Sequence, residues 1–244
     1  MVLLEGVNIS KFFGGLAALK NVSFSLNKRE IVGLIGPNGA GKTTLFNIIT
    51  GFIPPSSGTI LFKGKKLNGL KPHKICRSGI ARTYQIVKPF SNLTVLENVT
   101  VGIVSREKNR VSFSKARSEA LEILKLVGLE NKESVLAKNL TLMDKKMLEF
   151  ARALATKPEV LLLDEVCAGL NPTEIYRAIQ LIKSLREHGI TIFWIEHIMR
   201  AIMTVADRII VLHHGEKIAE GPPKEIANDS RVIDAYLGEK YLLG

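Results

Sequence analysis

One short segment of this 244-residue chain restricts its possible folds more than any other feature. The segment matches the pattern G-x-x-x-x-G-K-[ST], and its residues are Gly36, Pro37, Asn38, Gly39, Ala40, Gly41, Lys42 and Thr43. Glycines let the backbone wrap closely around an anion, so that successive N–H groups point at phosphate oxygens. The pattern therefore predicts a phosphate-binding loop, which requires a strand before it and a helix after it.

The residues on both sides of the loop have this strand and helix character. Ile31–Ile35 is a continuous apolar run, and the apolar residues after the loop follow helical spacing up to Gly51. The N-terminal end of that helix adds a partial positive charge to the site. The ammonium of Lys42 is expected to contact the β- and γ-phosphates, and the hydroxyl of Thr43 to bind Mg²⁺. We therefore expect a nucleoside triphosphate with magnesium at this loop.

Three further apolar runs have the same character as Ile31–Ile35, and such runs are typical of a parallel sheet covered on both faces. These runs are Val160–Leu163, Ile192–Ile195 and Ile209–Leu212. Between the first two, a helical pattern extends from Thr173 to about His188, with Asn171 as its expected N-cap and Gly189 at its end. The alternation of strand and helix predicts an α/β fold.

The rest of the chain divides into an N-terminal β region and a helical middle. Over residues 2 to about 26, apolar and polar residues alternate, which predicts half-buried strands. From about 93 to 154 there is no apolar strand run, and Phe113–Val127 and Thr141–Leu154 have amphipathic helical patterns. The predicted organisation is one domain, residues 1–244, with a core of 1–92 and 155–244 and a helical subdomain inserted at about 93–154.

Polar residues follow two of the apolar runs. Asp164 and Glu165 come directly after Leu163, and His197 comes two residues after Ile195. In open α/β sheets, ligands bind beyond the carboxyl ends of the strands, so we expect these side chains to meet the phosphate-binding loop. Asp164 would hold Mg²⁺ through water, Glu165 would orient an attacking water, and His197 would hydrogen-bond the γ-phosphate. This set predicts hydrolysis, with Glu165, His197 and Lys42 as the catalytic residues.

With these motifs in this order, the chain resembles the ATP-binding-cassette (ABC) ATPases over essentially its whole length. The resemblance implies a P-loop NTPase core with N-terminal antiparallel strands and an inserted helical subdomain, with ATP and Mg²⁺ as its ligands. It also implies that Gln85 contacts Mg²⁺, that Thr44 extends the ATP site, and that Phe13 stacks on adenine, with Phe12 as the alternative. The family's D-loop, at its dimer interface, corresponds here to Ala168, Gly169, Leu170 and Asn171.

Within this family, the chain most resembles the Liv-type ATPases of branched-chain amino-acid importers. The segments that carry this resemblance are Phe13–Ala18, Ala81–Gln85, Ala168–Pro172, Ile195–His197 and Ala235–Gly238. The resemblance implies transmembrane permease subunits as partners, an indirect link to a solute-binding protein, and a place on the inner face of the cell membrane. Cassettes for urea, amides or lipid export are alternatives. A soluble ABC ATPase acting on ribosomes or DNA is disfavoured, because such proteins usually carry two cassettes or a long coiled coil.

One motif departs from the family pattern. In place of the signature Leu-Ser-Gly-Gly-Gln, this chain has Leu140, Thr141, Leu142, Met143 and Asp144. In the family, this segment contacts the ATP of the partner subunit. Thr141 keeps a hydroxyl and forms a helix N-cap pattern with Asp144, but Met143 replaces a glycine, and Asp144 brings a carboxylate near an anion unless it turns back into its own cap. We therefore expect a weakened signature and a heterodimer with a second ATP-binding subunit, with a homodimer as the alternative.

Composition limits the partners and the location. The net charge of +11 at pH 7 fits nucleic acid, an anionic membrane surface or anionic ligands, but a solvated surface rich in lysine is the favoured interpretation. The lysines occur in short scattered groups without an RNA-binding signature, so we expect no nucleic-acid partner. The two cysteines suggest no disulfide framework, and the N-terminus lacks a signal-peptide pattern. These features predict a cytoplasmic protein.

Overall fold

The computed structural model describes residues 1–106 and 112–241, with side chains as far as residue 236. Residues 107–111, which fall within the predicted helical segment, and residues 242–244 lie outside the described residues, as do the side chains from Leu237 onward. The strands are β1 (Val2–Phe13), β2 (Leu16–Asn27), β3 (Ile31–Ile35), β4 (Ser57–Phe62), β5 (Lys65–Lys66), β6 (Ile80–Arg82), β7 (Val160–Asp164), β8 (Thr191–Ile195), β9 (Arg208–His213) and β10 (Glu216–Gly221). The helices are α1 (Lys42–Ile49), α2 (Pro72–Ser78), α3 (Val95–Arg106), α4 (Phe113–Leu126), α5 (Leu142–Leu154), α6 (Pro172–Glu187), α7 (Met199–Val205), α8 (Pro223–Ile226) and α9 (Ser230–Tyr241).

The strands form two sheets. The antiparallel sheet has the order β2-β1-β4-β5, and the larger sheet has the order β10-β9-β3-β8-β7-β6. In the larger sheet, all neighbouring strands from β9 to β6 are parallel, and β10 is antiparallel to β9. The residues that follow β3, β7 and β8 therefore emerge at the same edge of this sheet. The α/β fold that the sequence predicts is confirmed.

The four apolar runs all form strands of the parallel part of the sheet, with bounds that differ from the predicted ones by at most one residue. Every residue of β3, β7 and β8 is buried, which explains why these strands are apolar throughout. The predicted helix after β7 is α6. Asn171 caps it reciprocally with Glu174, through N–H···O bonds of 2.9 and 3.0 Å, and Gly189 follows its end with a φ of 94°.

The two faces of the parallel sheet pack against different elements. One face, with Leu161 and Trp194, belongs to a hydrophobic cluster that also contains buried residues of α3, α4 and α5. The other face packs against α1 and the antiparallel sheet, where the ring of Phe193 lies 5.3 Å from that of Phe46 and 5.5 Å from that of Phe24. The helices α4 and α5 were predicted, whereas α3 was not. The chain segment between β6 and β7 therefore covers one face of the sheet whose edge carries the candidate site.

Candidate functional site

The phosphate-binding loop joins β3 to α1, as the sequence predicts. Its three glycines, Gly36, Gly39 and Gly41, have φ angles of 150°, 77° and 103°. A Cβ on Gly36 would lie 2.1 Å from the carbonyl oxygen of Leu212, and a Cβ on Gly41 would lie 2.5 Å from that of Ala18. The loop is therefore packed tightly against β9 and β2, so positions 36 and 41 need glycine for space as well as for conformation.

The side chain of Lys42 is buried at the start of α1. Its ammonium donates hydrogen bonds to the carbonyl oxygens of Gly36 and Pro37, at 2.6 and 2.9 Å. Thr43 is exposed beside it and Thr44 is half-buried, while Asn38 and Gly39 are exposed at the tip of the loop. The loop thus combines a cation with the N-terminal end of a helix, which are two features that favour a bound phosphate.

Glu165 is bonded on both sides by residues that the sequence assigned to the same site. Nε2 of Gln85 donates to Oε2 of Glu165 at 2.6 Å, and Nε2 of His197 lies 2.9 Å from Oε1. The three residues come from the ends of different elements: Gln85 follows β6, Glu165 follows β7, and His197 follows β8. The ends of these three elements therefore bring the three side chains together at one edge of the sheet.

Asp164 is paired with an arginine that the sequence analysis did not select. Nη2 of Arg82 lies 2.6 Å from Oδ2 of Asp164, and each of the two side chains is 5% exposed. Nη1 of Arg82 donates to the side chain of Asn47 on α1 at 2.7 Å, and the hydroxyl of Thr83 accepts from the backbone N–H of Asp164 at 3.2 Å. This network connects α1, β6 and β7 behind the phosphate-binding loop.

Glu196 is a second residue that the sequence analysis missed. Its carboxylate is buried and accepts from the backbone N–H groups of Cys167, His197 and Ile198, at 3.1, 2.9 and 3.2 Å. Nζ of Lys146, on α5, donates to the carbonyl oxygen of Glu165 at 3.3 Å. Glu196 therefore ties the turn after Glu165 to the turn that carries His197. A charged residue directly after the apolar run Ile192–Ile195 was the available signal.

The signature segment forms the N-terminal cap of α5, and its carboxylate is neutralised within the chain. Thr141 is the N-cap: its hydroxyl accepts from the N–H of Asp144 at 3.2 Å and donates to Oδ2 of Asp144 at 2.8 Å. Nζ of Lys132 lies 2.6 Å from the same oxygen. Burial raises the pKa of Asp144, but the hydrogen bonds from Lys132 and Thr141 outweigh it, so the net pKa is below its usual range. Asp144 thus turns back into its own cap.

The other predicted site segments lie at the surface. The D-loop residues Ala168, Gly169, Leu170 and Asn171 connect β7 to α6, and a Cβ on Gly169 would lie 3.1 Å from the side chain of Leu142. The D-loop therefore lies against the signature segment of the same chain, in which Met143 is buried. Phe13 is 49% exposed at the end of the β1–β2 hairpin, with Nζ of Lys11 5.0 Å from its ring centre, and Phe12 is 50% exposed.

A cleft of about 790 Å³ opens beside the site, between the sheet edge and the helical segment. Thr43, Gln85 and Asp164, the three predicted magnesium ligands, all line it. Their hydroxyl, amide and carboxylate oxygens are the ligand types that Mg²⁺ prefers. The arrangement as a whole offers a phosphate-binding loop, a carboxylate poised between two hydrogen-bonding side chains, and oxygen ligands for a hard cation, which is what hydrolysis of a nucleoside triphosphate requires.

Comparison with protein families gives two matches. Residues 19–168 match the family described as "ABC transporter". Residues 216–241 match the family described as "Branched-chain amino acid ATP-binding cassette transporter". The first match contains the phosphate-binding loop, Gln85, the signature segment and Glu165, and the second lies in the C-terminal part of the chain.

Individual proteins of these families are similar over most of their length. The chain is 46% identical to the high-affinity branched-chain amino acid transport ATP-binding protein LivG of Escherichia coli, over 93% of this chain and 94% of that protein. It is 39% identical to BraF of Pseudomonas aeruginosa, which carries the same description, over 97% and 98%. Among solved structures, the ADP conformation of an ATP-binding cassette of an ABC transporter superposes with a TM-score of 0.90 at 33% identity, covering 98% of this chain and 99% of the other. A dimeric bacterial ABC transporter cassette superposes with a TM-score of 0.83 at 29% identity, covering 91% and 99%.

Proposed function

This chain belongs to the ABC transporter family of ATPases, and from that membership we propose that it binds and hydrolyses ATP to drive the import of branched-chain amino acids through a partner permease. The transport names of LivG and BraF, together with the family match near the C-terminus, support the choice of substrate. The single observation that carries the proposed activity is the position of Glu165, bonded to Gln85 and His197 beside the phosphate-binding loop.

In the proposed site, the phosphates of ATP lie in the loop of residues 36–43 and the adenine stacks on Phe13. Lys42 then turns its ammonium from the carbonyl oxygens of its own loop toward the β- and γ-phosphates. Glu165 orients the attacking water, and His197 donates a hydrogen bond to the γ-phosphate. Because Gln85 and His197 are bonded to Glu165 in the described structure, binding of ATP and water has to exchange these hydrogen bonds. Catalysis is then a matter of positioning and of stabilising charge.

Magnesium fits the same site. Thr43, Gln85 and Asp164 offer oxygen atoms that line one cleft, and an ion shared with the phosphates needs few protein ligands. The bound ion would neutralise negative charge on the β- and γ-phosphate oxygens. Arg82 pairs with Oδ2 of Asp164, so the other carboxylate oxygen could accept a hydrogen bond from a water molecule on the metal.

The proposed partners follow from the family. A transport ATPase acts on transmembrane permease subunits, which would place this chain on the inner face of the membrane, with a solute-binding protein as an indirect partner. Among the residues that the structure describes, no helix combines the length and the apolar character needed to cross a bilayer. A second ATP-binding subunit with an intact signature would complete the site built on Lys42 and Glu165, so a heterodimer is the proposed state.

ATP binding and turnover by the assembled transporter test the proposed activity. Lys42→Ala should weaken binding of MgATP by at least about tenfold, because a charged hydrogen-bond donor to the phosphates is lost. Glu165→Gln should leave binding intact and reduce turnover by about a hundredfold or more. Lys66→Ala and Glu216→Gln, at exposed positions of β5 and β10, are the matched controls. Unchanged binding by Lys42→Ala or unchanged turnover by Glu165→Gln would refute the assignment.

The transported substrate needs a separate experiment. Vesicles that contain the permease pair, this chain and its partner ATPase are loaded with MgATP on the side of the ATPases, and uptake of labelled leucine is compared with that of urea and acetamide. Saturable uptake of leucine that requires Glu165 would support the proposal. Uptake of urea or acetamide in its place, or ATP-dependent movement of lipid, would assign the chain to another transporter of the family.

A further inference from the structure

A buried carboxylate on α5 is bonded to the backbone next to Gln85. Glu149 is 8% exposed, and its Oε1 accepts a hydrogen bond from the N–H of Tyr84 at 3.1 Å. In the part of the chain that the structure describes, this is the only hydrogen bond that the Glu149 carboxylate makes. A buried carboxylate is stable only where it is paired or hydrogen-bonded. The hydrogen bond from Tyr84 is therefore the main contact that stabilises the buried carboxylate of Glu149.

One turn later, Arg152 holds the other end of the same segment. Its Nη1 donates to the carbonyl oxygen of Lys88 at 3.0 Å, and its guanidinium carbon lies 4.9 Å from the ring centre of Phe90. Phe90 is also fixed from α3, because the side chain of Asn98 accepts from its N–H at 2.9 Å and donates to its carbonyl oxygen at 3.1 Å. Residues 84–90, called here the glutamine segment, are therefore anchored at both ends by α5.

The glutamine segment contains no helix or strand of its own. Its conformation therefore depends on side-chain anchors, not on a hydrogen-bonded ladder. Gln85 is exposed between the anchors and reaches Oε2 of Glu165 at 2.6 Å. We propose that Glu149 and Arg152 are positioning residues for Gln85, which set its reach toward Glu165 by fixing both ends of the glutamine segment. This inference rests on the proposed function, in which Glu165 orients the attacking water.

Glu149 and Arg152 lie on the same helix as the signature segment, which links that segment to Gln85. The helix begins at Leu142, directly after the N-cap Thr141 of the signature segment. Its N-terminal end thus carries the residues that would face the ATP of a partner subunit, and Glu149 and Arg152 follow about two and three turns later. A rotation of α5 on contact with the partner therefore moves Gln85 as well, since both anchors move with the helix.

The ionisation of Glu149 supplies an independent readout. Burial raises its pKa to about 7, against the hydrogen bond from Tyr84 and the charges of Arg152 and Lys146, which lower it. The charged and titratable groups that face Glu149 or Tyr84 are Lys146 and Arg152 on α5, Asp164 on β7, Arg82 on β6, Tyr84 itself and Cys76 on α2. An ionised carboxylate accepts hydrogen bonds more strongly than a neutral carboxyl group, so the anchor at Tyr84 weakens as the pH falls below 7.

Two substitutions of Glu149 separate anchoring from burial. In the assembled transporter, Glu149→Ala removes the acceptor, and we expect kcat to fall by about ten- to a hundredfold because Gln85 is misplaced, with KM for ATP changed less than about threefold. Glu149→Gln keeps an oxygen that accepts from Tyr84 but cannot ionise, so kcat should remain within about threefold of wild type. The ratio of wild-type kcat to that of Glu149→Gln should fall as the pH drops from 8 to 6.

Local hydrogen exchange is the matched structural measurement. The amides of the glutamine segment should exchange faster in Glu149→Ala and in Arg152→Met than in wild type, and at close to the wild-type rate in Glu149→Gln at pH 6, where the wild-type carboxyl group is mostly neutral. Glu119→Ala is the control, because it breaks a mostly buried ion pair with Arg106 in the same helical region without touching the glutamine segment. It should lower the melting temperature and leave kcat and the exchange of the segment unchanged.

The possible results distinguish this inference from the proposed function. If wild type hydrolyses ATP and Glu165→Gln does not, the proposed function holds, and an unchanged kcat in Glu149→Ala overturns the positioning role alone. A kcat loss shared equally by Glu149→Ala, Glu149→Gln and Glu119→Ala also overturns it, because the loss would then follow general stability. If wild type itself has no ATPase activity in the complex, the proposed function fails, while faster exchange in Glu149→Ala would still show the anchor.

Discussion

Arg82 donates from Nη2 to Oδ2 of Asp164 across 2.6 Å, and each side chain is 5% exposed. Asp164 is the residue proposed to hold magnesium, and its carboxylate lies in a nearly dry position. Burying a carboxylate without a partner is strongly destabilising. The arginine therefore compensates the carboxylate that is proposed to hold the metal, and the same guanidinium donates a hydrogen bond to Asn47 on α1.

Removal of the arginine should destabilise the fold. Arg82→Met leaves a buried carboxylate without its partner, and the free energy of unfolding is expected to fall by roughly 3 kcal/mol. Urea unfolding at pH 7.5 measures this change. Lys20→Met, which breaks an ion pair whose side chains are 45% and 56% exposed, should change the same quantity by less than about 1 kcal/mol. Equal effects of the two substitutions would contradict the role assigned to the buried pair.

Two glycines of the phosphate-binding loop should respond differently to alanine. At Gly36 a Cβ would collide with the carbonyl oxygen of Leu212, whereas at Gly39 a Cβ would meet no atom within 4 Å. Both have positive φ. Gly39→Ala should therefore lose only about 1 to 2 kcal/mol of stability from the strained conformation. Gly36→Ala should in addition displace the loop from β9 and weaken MgATP binding by about tenfold or more relative to Gly39→Ala. Thermal unfolding and nucleotide titration of both variants check this order.

Glu196 should affect turnover more than nucleotide binding. Its two carboxylate oxygens accept from three backbone N–H groups, those of Cys167, His197 and Ile198, in the turns that carry Glu165 and His197. In Glu196→Gln one oxygen becomes an NH₂ group that cannot accept, so at least one buried N–H loses its partner, at about 1 to 3 kcal/mol of stability. We expect kcat to fall about tenfold or more while KM for ATP stays within about threefold. A rise in KM with unchanged kcat would be the contrary result.

The parts of the fold and of the site that could be predicted from the sequence are those that depend on residues close together in the chain. The phosphate-binding loop and the buried strands are local patterns, and parallel strands place their ends at one edge, so Asp164, Glu165 and His197 could be assigned by position. Gln85 was assigned through the family resemblance alone. The pairing of Arg82 with Asp164 joins residues from different strands, and no local pattern marks it. Glu149 could have been noticed in the sequence, since a carboxylate on the apolar face of an amphipathic helix needs a hydrogen-bonding or charged partner.

The helix α3 was missed for a different reason. Its sequence contains several β-branched residues and Gly102, all of which have low helix propensity. Burial of Val95, Val99 and Ile103 against the neighbouring helices overrides that preference. A signal was nevertheless present, because Thr94 and Glu97 form a capping box, with N–H···O bonds of 2.7 and 3.2 Å. Local capping residues would have predicted this helix better than propensity did.

The pKa of Glu149 predicts a dependence of stability on pH. The folded chain holds the Glu149 proton up to about pH 7, whereas the unfolded chain releases it near the usual value of 4.5. The folded state therefore binds more protons in this window, and the contribution of Glu149 to the free energy of unfolding falls as the pH rises through it, by roughly 3 kcal/mol in all. Glu149→Gln has no titrating group at this position, so this pH-dependent contribution is absent from the variant. Its stability relative to wild type, measured by urea unfolding, should rise by that amount between pH 5 and pH 8, and a constant difference would contradict the shift.

The contact between Lys132 and Asp144 should affect how tightly the signature segment of this chain binds the ATP of the partner subunit. Without Lys132, the carboxylate of Asp144 would present an uncompensated negative charge at the N-terminus of α5, close to the phosphates of the partner's ATP. In a Glu165→Gln background that blocks hydrolysis, Lys132→Met should therefore weaken MgATP-dependent association with the second ATP-binding subunit by about tenfold or more, since like charges at an interface repel.

Removing the carboxylate as well separates charge compensation from a direct contact by the lysine. If Lys132 acts only as the counter-ion of Asp144, then Lys132→Met/Asp144→Asn should associate as well as Asp144→Asn alone, because no negative charge is left to compensate. If the lysine itself bound phosphate, the double variant would remain as weak as Lys132→Met. Sedimentation at several ATP concentrations gives the association constant of each variant with the second ATP-binding subunit. Undiminished association of Lys132→Met would show that the carboxylate does not face the nucleotide, and that the altered signature contacts the partner with other groups.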